Sequence, residues 1–527
     1  MKSHFASGRI LIIALVAFCI FSCKTKQLTE ERPNILFCIA DDQSFPHAGA
    51  YGCNWVKTPA FDRVASQGIL FTNAYTPNAK CAPSRASIIT GRNSWQLEEA
   101  ANHVPYFPAK FKTYAESLQE FGYFVGHTAK GWAPVDPGQL DGKKRELLGP
   151  SFNNAKTTPP AEFMSTIDYA ANFKAFLDAN DEGKPFCFWY GSTEPHRAYE
   201  FKAGVEKGGK SLNEVDHVFD FWPDNDTVRH DLLDYAFEIE YFDKHLAQML
   251  QILEEKEMLD NTIIVVTADN GMPFPRIKGQ EYELSNHLPL AIMWPKGIKN
   301  PGRIVDDFVS FTDFAPTFLD VAGVLANESG MKEVEGQSLV PLFFDEPDAK
   351  GRDFMIIGKE RHDLGRPDDQ GYPIRGIVTD QYLYLKNFHP ERWPAGNPET
   401  GYMNCDGSPT KSWILNDRRS NGQSKYWDLS FGKNPPEELY KISVDPECLN
   451  NLANDPEFEL VKTELALQMT NELKAEGDPR ISGDGDIFET YVYSQDDTRN
   501  FYNRFMAGED VHAGWINQTD IEQEKLD

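Results

Sequence analysis

Cysteine is scarce in this chain: eight residues in 527, none arranged as a C-x-x-C pair. That spacing excludes a zinc ribbon and a dense disulfide framework. Basic charge is in deficit too, with 52 Lys and Arg against 80 Asp and Glu and a net charge of −28. No global positive field exists to draw in phosphates, so nucleic acid is not an expected partner. Any anion site must be built locally from clustered Lys, Arg and His. Long apolar runs are missing as well: beyond residues 10–21, nothing is long and apolar enough to span a bilayer. Internal repeats are absent.

What is present is the composition of a well-packed protein. Hydrophobic residues make up 41% and aromatics 13%, which excludes wholesale disorder. The length calls for two domains, or one large domain with an appendage. The one apolar run, ILIIALVAFCIF, follows Lys2 and Arg9 and ends at Ser22-Cys23. It suits the core of a signal peptide over residues 1–23. Ile20-Phe21-Ser22-Cys23 resembles a bacterial lipoprotein cleavage box, with Phe21 an imperfect fit; an ordinary secretory signal with an incidental cysteine is the alternative. Either predicts export, to the periplasm or, as a lipid-anchored protein, to the outer membrane or cell surface. Of the later cysteines, Cys405 and Cys448 are the expected pair if a bridge forms.

Residues 32–350 alternate between strand and helix signals. ILFCIA (35–40) and TIIVVTA (262–268) are continuous apolar runs, as expected of strands buried on both faces of a parallel sheet. An amphipathic stretch stopping at Gly122 is followed by a strand ending at Lys130; FCFWYG (186–191) is another strand, and residues 230–259 read as one long helix. Chemistry-bearing residues recur just past the carboxyl ends of the strands, where ligands sit in α/β sheets. From about residue 351 to 480 the texture changes to short β-like runs between Pro- and Gly-rich loops, then a helix at 457–475. A smaller α+β domain with an antiparallel sheet is expected there. The tail at 481–527 has no clear pattern.

Three clusters point to one site. Asp41-Asp42 and Asp269-Asn270 each end a strand, and adjacent carboxylates are best explained by a cation between them. Such hard oxygen ligands suit calcium, ahead of magnesium, rather than zinc. The third cluster is KCAPSRASIITGR (80–92). Pro83 is tolerated in a first helical turn and Gly91 ends the helix, so Cys81 sits at an N-terminus that favours an anion or a thiolate. Arg85, one turn on, adds a fixed charge.

Cys81-Ala82-Pro83-Ser84-Arg85 followed by Thr90-Gly91-Arg92 resembles the signature of type I sulfatases, members of the alkaline-phosphatase-like superfamily. RPNILFCIADDQ and TADNG resemble the family's two metal motifs in the right order, and the likeness spans roughly residues 32–460. It implies a large mixed, mostly parallel sheet sandwiched by helices, with the smaller antiparallel sheet appended. It further implies that Cys81 is converted to formylglycine by a sulfatase-maturating enzyme, its hydrated form acting as nucleophile. Asp41, Asp42, Asp269 and Asn270, with the modified Cys81, match the calcium ligands. Arg85, Lys130, His196 and Lys278 match residues that hold formylglycine, bind sulfate or protonate the departing group. One departure stands out: where the family's second signature carries a histidine two residues after its lysine, this chain has Trp132, and His127 belongs on the opposite strand face.

TADNGMPFPRIKG and TEPHRAYE resemble the heparan N-sulfatase (N-sulfoglucosamine sulfohydrolase) branch, with Arg197, Glu360, Arg361, His362 and Arg375 as candidate sugar contacts; for the last four, ion pairing on the surface is the competing reading. A sulfated glycan, specifically N-sulfated glucosamine of heparin or heparan sulfate, is the implied substrate. O-sulfate hydrolysis on another glycan, and phosphodiester or phosphonate ester hydrolysis, are the neighbouring alternatives. A cysteine hydrolase and a catalytically inert glycan-binding lipoprotein are readings from other classes.

Overall fold

The burial of the apolar runs sets the architecture. Seven strands form the main sheet: β1 (Asn34–Ala40), β2 (Ile69–Phe71), β3 (Phe124–Ala129), β4 (Phe186–Gly191), β5 (Thr262–Ala268), β6 (Leu290–Met293) and β7 (Arg303–Val305). The computed structural model describes residues 32–133, 137–140, 142–346, 349 and 351–526; the signal-peptide and lipoprotein readings fall outside them.

The spatial order is β7-β2-β6-β5-β1-β4-β3, with β6 antiparallel to both neighbours and every other pairing parallel. The two runs read as doubly buried strands are central neighbours, and every residue of β1 and β5 is buried. Side chains alternate across β1. Leu36 and Cys38 enter a cluster with Phe173, Phe188 and residues Phe242, Leu246 and Met249 of the long helix α2 (Asp226–Glu255). Phe37 faces the other way, against Trp189 and against Phe314 and Phe318 of α3 (Phe314–Val321). Helix α1 (Cys81–Thr90) packs on α3 and so lies on this second face.

A separate sheet, β8 (Phe354–Lys359), β9 (Ile374–Thr379), β10 (Leu383–Asn387) and β11 (Glu437–Tyr440), is antiparallel throughout and ordered as in the chain. One face buries Ile356, Ile377 and Tyr384 under Leu465, Met469 and Leu473 of α4 (Glu459–Ala475). The other packs Ile357, Ile374 and Leu383 on Tyr75 and Tyr282. The tail is more ordered than its sequence pattern suggests: Tyr493, Phe501 and Val511 pack against Leu364 and Met403. Its helices run to six residues at most, too short to leave a periodic signal.

The expected Cys405–Cys448 bridge does not form. All six cysteines among the described residues are free, and these two belong to different apolar clusters, Cys405 beside Trp393 and Tyr402, Cys448 beside Tyr282 and Tyr440. Among the described residues, no helix is long and apolar enough to cross a membrane.

Candidate active site

Parallel pairing of β1 with β5 puts Ala40 opposite Ala268, so both acidic tips emerge side by side. The Asp42 backbone N–H donates to Asp269 Oδ1 at 2.9 Å, and Asn270 Nδ2 donates to Asp42 Oδ1 at 2.7 Å. Asp42 adopts φ 76°, a left-handed conformation that the surrounding contacts hold in place.

Cys81 is the first residue of α1, with Lys80 as N-cap and Gly91 closing the helix at φ 68°. Its Sγ lies 3.3 Å from Asp41 Oδ1 and 3.7 Å from Asp42 Oδ1. Burial, reinforced by Asp41, pushes its thiol pKa well above the ordinary value, so the surroundings disfavour a thiolate. A helix N-terminus alone suggests the opposite; burial first, and then the neighbouring carboxylates, act against it here. Arg85, one turn on and fully buried, donates through Nε to Asp269 Oδ2 at 2.7 Å and through Nη1 to the carbonyls of Lys130 and Gly131. Its Nη2 lies 3.8 Å from Asp41 Oδ1.

Lys130 directly follows β3 and its Nζ straddles the Asp41 carboxylate, at 2.8 and 2.6 Å. Gly191 makes this possible, because a Cβ there would lie 1.8 Å from the Lys130 carbonyl oxygen. Burial alone would raise the Asp41 pKa, but Lys130, with His196 and Arg85, overcomes it and holds the carboxyl down at about 2. Lys278 Nζ bridges Asp42 Oδ2 at 2.7 Å and Asp406 Oδ2 at 2.8 Å. His196 gives its Nδ1 proton to the Arg197 carbonyl at 2.5 Å and points Nε2 to within 3.9 Å of Asp42 Oδ2. It is 32% exposed and opens the cluster to solvent.

Nine sequence-predicted residues therefore converge: Asp41, Asp42, Cys81, Arg85, Lys130, His196, Asp269, Asn270 and Lys278. Asp406 is an addition. It comes from a loop beyond the antiparallel hairpin, and nothing in its local sequence marks it. Trp132 occupies the irregular turn after Lys130, its Nε1 donating to the Ala82 carbonyl at 3.0 Å. His127 is engaged elsewhere, through Nδ1 to the Gly149 carbonyl at 3.0 Å.

The candidate sugar contacts are placed differently. Arg197 is buried in a bidentate pair with Asp231, at 2.8 and 2.9 Å, between the rings of Tyr199 and Phe274. Arg375 makes five hydrogen bonds, to Asp478, Glu360 and the carbonyls of Lys359 and Ile374, which use every guanidinium hydrogen. Glu360 takes Arg480 as well. Arg361 bonds the carbonyls of Asp369 and Tyr491. His362 is buried, with Nε2 on Asn78 Oδ1 at 2.8 Å.

Asp41, Asp42, Cys81 and Asp269 offer ligand atoms that all lie within 4.8 Å of one another. Asn270 Oδ1 is buried beside them without a hydrogen-bond partner. An orphaned amide oxygen among converging carboxylates is the donor set of a hard divalent cation, so these residues fit one.

Comparison with known proteins agrees with this geometry. Residues 33–324 match the family model described as Sulfatase, and residues 278–393 match that described as N-sulphoglucosamine sulphohydrolase, C-terminal. An ulvan-active sulfatase of Formosa agariphila is 28% identical over 89% of this chain and 89% of its own. The human N-sulphoglucosamine sulphohydrolase is 27% identical over 83% of this chain and 90% of its own. The solved structure of BT4656 in complex with its substrate D-glucosamine-2-N,6-O-disulfate superposes with a TM-score of 0.60 at 21% identity, covering 85% of this chain and 99% of that one; this likeness establishes the fold. With more than half its length matched and the strand-tip acids, the cysteine that opens α1 and the lysine pair in one cluster, the chain belongs to the sulfatase family, hydrolases of sulfuric esters and sulfamates.

Proposed function

We propose that this protein removes sulfate from a sulfated glycan, most specifically from N-sulfated glucosamine of heparin or heparan sulfate, using formylglycine made from Cys81. The observation that carries the reading is the position of Cys81: a buried first residue of its helix, in contact with Asp41 and Asp42 and within reach of Arg85 and Lys130. Four carboxylates (Asp41, Asp42, Asp269, Asp406) face three fixed cations (Arg85, Lys130, Lys278). A bound divalent cation changes the sign of that balance from negative to positive, as an anionic substrate requires. Calcium, held by Asp41, Asp42, Asp269, Asn270 and the modified Cys81, would supply Lewis-acid polarisation, and the hydrated aldehyde would supply the nucleophilic oxygen.

The chain's own residues do the rest. Arg85 spans the Asp269 carboxylate and the Lys130 backbone, fixing the nucleophile's helix to the metal loop. Lys130 and Lys278 sit on either side of the acidic pair and offer N–H donors to sulfate oxygens as charge accumulates. His196, its Nδ1 committed to the Arg197 carbonyl, presents Nε2 to the leaving oxygen or nitrogen and supplies its proton. The match of residues 278–393 to the N-sulphoglucosamine sulphohydrolase C-terminal model supports an N-sulfate. The similar likeness to an ulvan-active sulfatase supports the second reading, O-sulfate hydrolysis on another glycan. Export, with a lipid anchor at Cys23, and maturation by a sulfatase-maturating enzyme belong to the same proposal.

The test is sulfate release from defined sulfated disaccharides by protein coexpressed with a maturase, against a Cys81→Ala control. N-sulfated glucosamine should be cleaved by the wild type and not by the variant, and intact mass should show a thiol converted to an aldehyde. Release only from O-sulfated galactose or fucose would sink the heparan reading.

A further inference from the structure

A second cluster of charged groups borders the reaction centre. Lys80, the N-cap of α1 and the residue before Cys81, places Nζ 2.5 Å from Asp363 Oδ2. Asp363 Oδ1 accepts the Nδ1 proton of His103 at 2.7 Å. The Asp363 backbone N–H donates to Asn404 Oδ1 at 3.1 Å, two residues before the Asp406 that holds Lys278. The cluster is thus tied to the centre from two sides, through the start of α1 and through the Asp406 loop.

Its members differ in access. Lys80 and Asp363 are sealed, at 2% and 7% exposed, whereas His103 is 15% exposed, and its Nε2 has no hydrogen-bond partner among the described residues. Burial lowers the His103 pKa, and Lys80 and Lys130 add to that against the opposing Asp363 carboxylate. A neutral ring with its proton on Nδ1 carries a lone pair on Nε2. The side-chain cations of the centre, Arg85, Lys130 and Lys278, can only donate, which suits sulfate oxygens. An imidazole acceptor suits the opposite kind of group, an O–H or N–H on the sugar.

From this juxtaposition the structure assigns His103 as a specificity-determining residue: its Nε2 accepts a hydrogen bond from a hydroxyl or N–H of the sulfated sugar, while Asp363, held by Lys80, sets the ring's tautomer and direction. The assignment rests on the sulfatase reading above.

His103→Asn separates this role from a structural one. The asparagine amide can still donate to Asp363 but places nothing where Nε2 was. On the sulfated sugar that the matured wild type cleaves best, KM should rise about tenfold or more, the loss of one substrate hydrogen bond, with kcat within about threefold and the melting temperature near wild type. His103→Gln, whose amide can reach the Nε2 position, should recover part of the loss; should His103→Asn fail to fold, His103→Ala is read in its place. A wild-type KM in the variant, or a fall in kcat at unchanged KM, overturns the assignment while leaving the sulfatase reading intact. A matured wild type silent on every sulfated sugar overturns both.

Discussion

Trp132 Nε1 donates to the carbonyl of Ala82, one residue into the helix that begins at Cys81. The indole is buried, with the Phe107 ring set edge-on against it at 5.0 Å. Trp132 thus fastens the helix that carries Cys81 by its first turn.

Trp132→Phe keeps most of the packing and loses only the hydrogen bond, so it should cost about 1 kcal/mol. Trp132→Ala also opens a cavity and should cost about 3–5 kcal/mol. Denaturant unfolding measures both; equal stabilities for the two variants would show that the hydrogen bond, and not the packing, carries the anchoring.

The orphaned Asn270 Oδ1 and the three strand-tip carboxylates predict a stability that depends on a divalent cation. At about a hundred times its dissociation constant, calcium should add about 2.7 kcal/mol, removable by chelation. Asn270→Ala should shrink that increment, and magnesium should supply less of it. Thermal melts with and without chelator decide; melts unmoved by either would count against the cation.

Arg375 separates a recognition role from a structural one. Its charge is matched by Asp478 and Glu360 beneath the smaller sheet. Arg375→Ala leaves Asp478 buried without its cation and Glu360 with Arg480 alone, and should destabilise by about 3–5 kcal/mol. Among the molecules that remain folded, KM should match the wild type. A raised KM at full stability would restore Arg375 as a sugar contact.

Asp243 accepts the Ala60 and Phe61 backbone N–H groups at the start of their helix. Burial dominates these bonds and lifts its pKa from 3.8 to about 7. The folded state therefore binds this proton more tightly than the unfolded chain does. The resulting stability is present in acid and is lost as pH rises through about 7. Melting temperature should fall between about pH 4 and about pH 7, and Asp243→Asn should flatten that slope. Parallel slopes for wild type and variant would refute the assignment.

How far the sequence reached depends on the range of the interaction. Apolar runs report burial locally, so ILFCIA and TIIVVTA already read as central strands, and their acidic tips follow from where those runs stop. Pro83 and Gly91 bracket α1 by backbone preference alone, which places Cys81 in its first turn before any folding. Short β-like runs such as MIIGK, IRGIVT and LYLKN, set between Pro- and Gly-rich loops, likewise announce the second sheet. Other pairings have no local signature. Asp406 reaches Lys278, and Asp363 reaches His103, across more than a hundred residues of chain. Arg197, Glu360 and Arg375 show the same limit from the other side: a charged residue near a motif reads alike whether it awaits a ligand or already holds a buried partner. The position of Cys81, the acidic strand tips and the strands beneath them are properties of the sequence by itself, because short-range periodicity and backbone preference encode them. Which charges are spent inside the fold, and which remain to face a sugar, was decided only when distant loops closed over the strand tips and paired them.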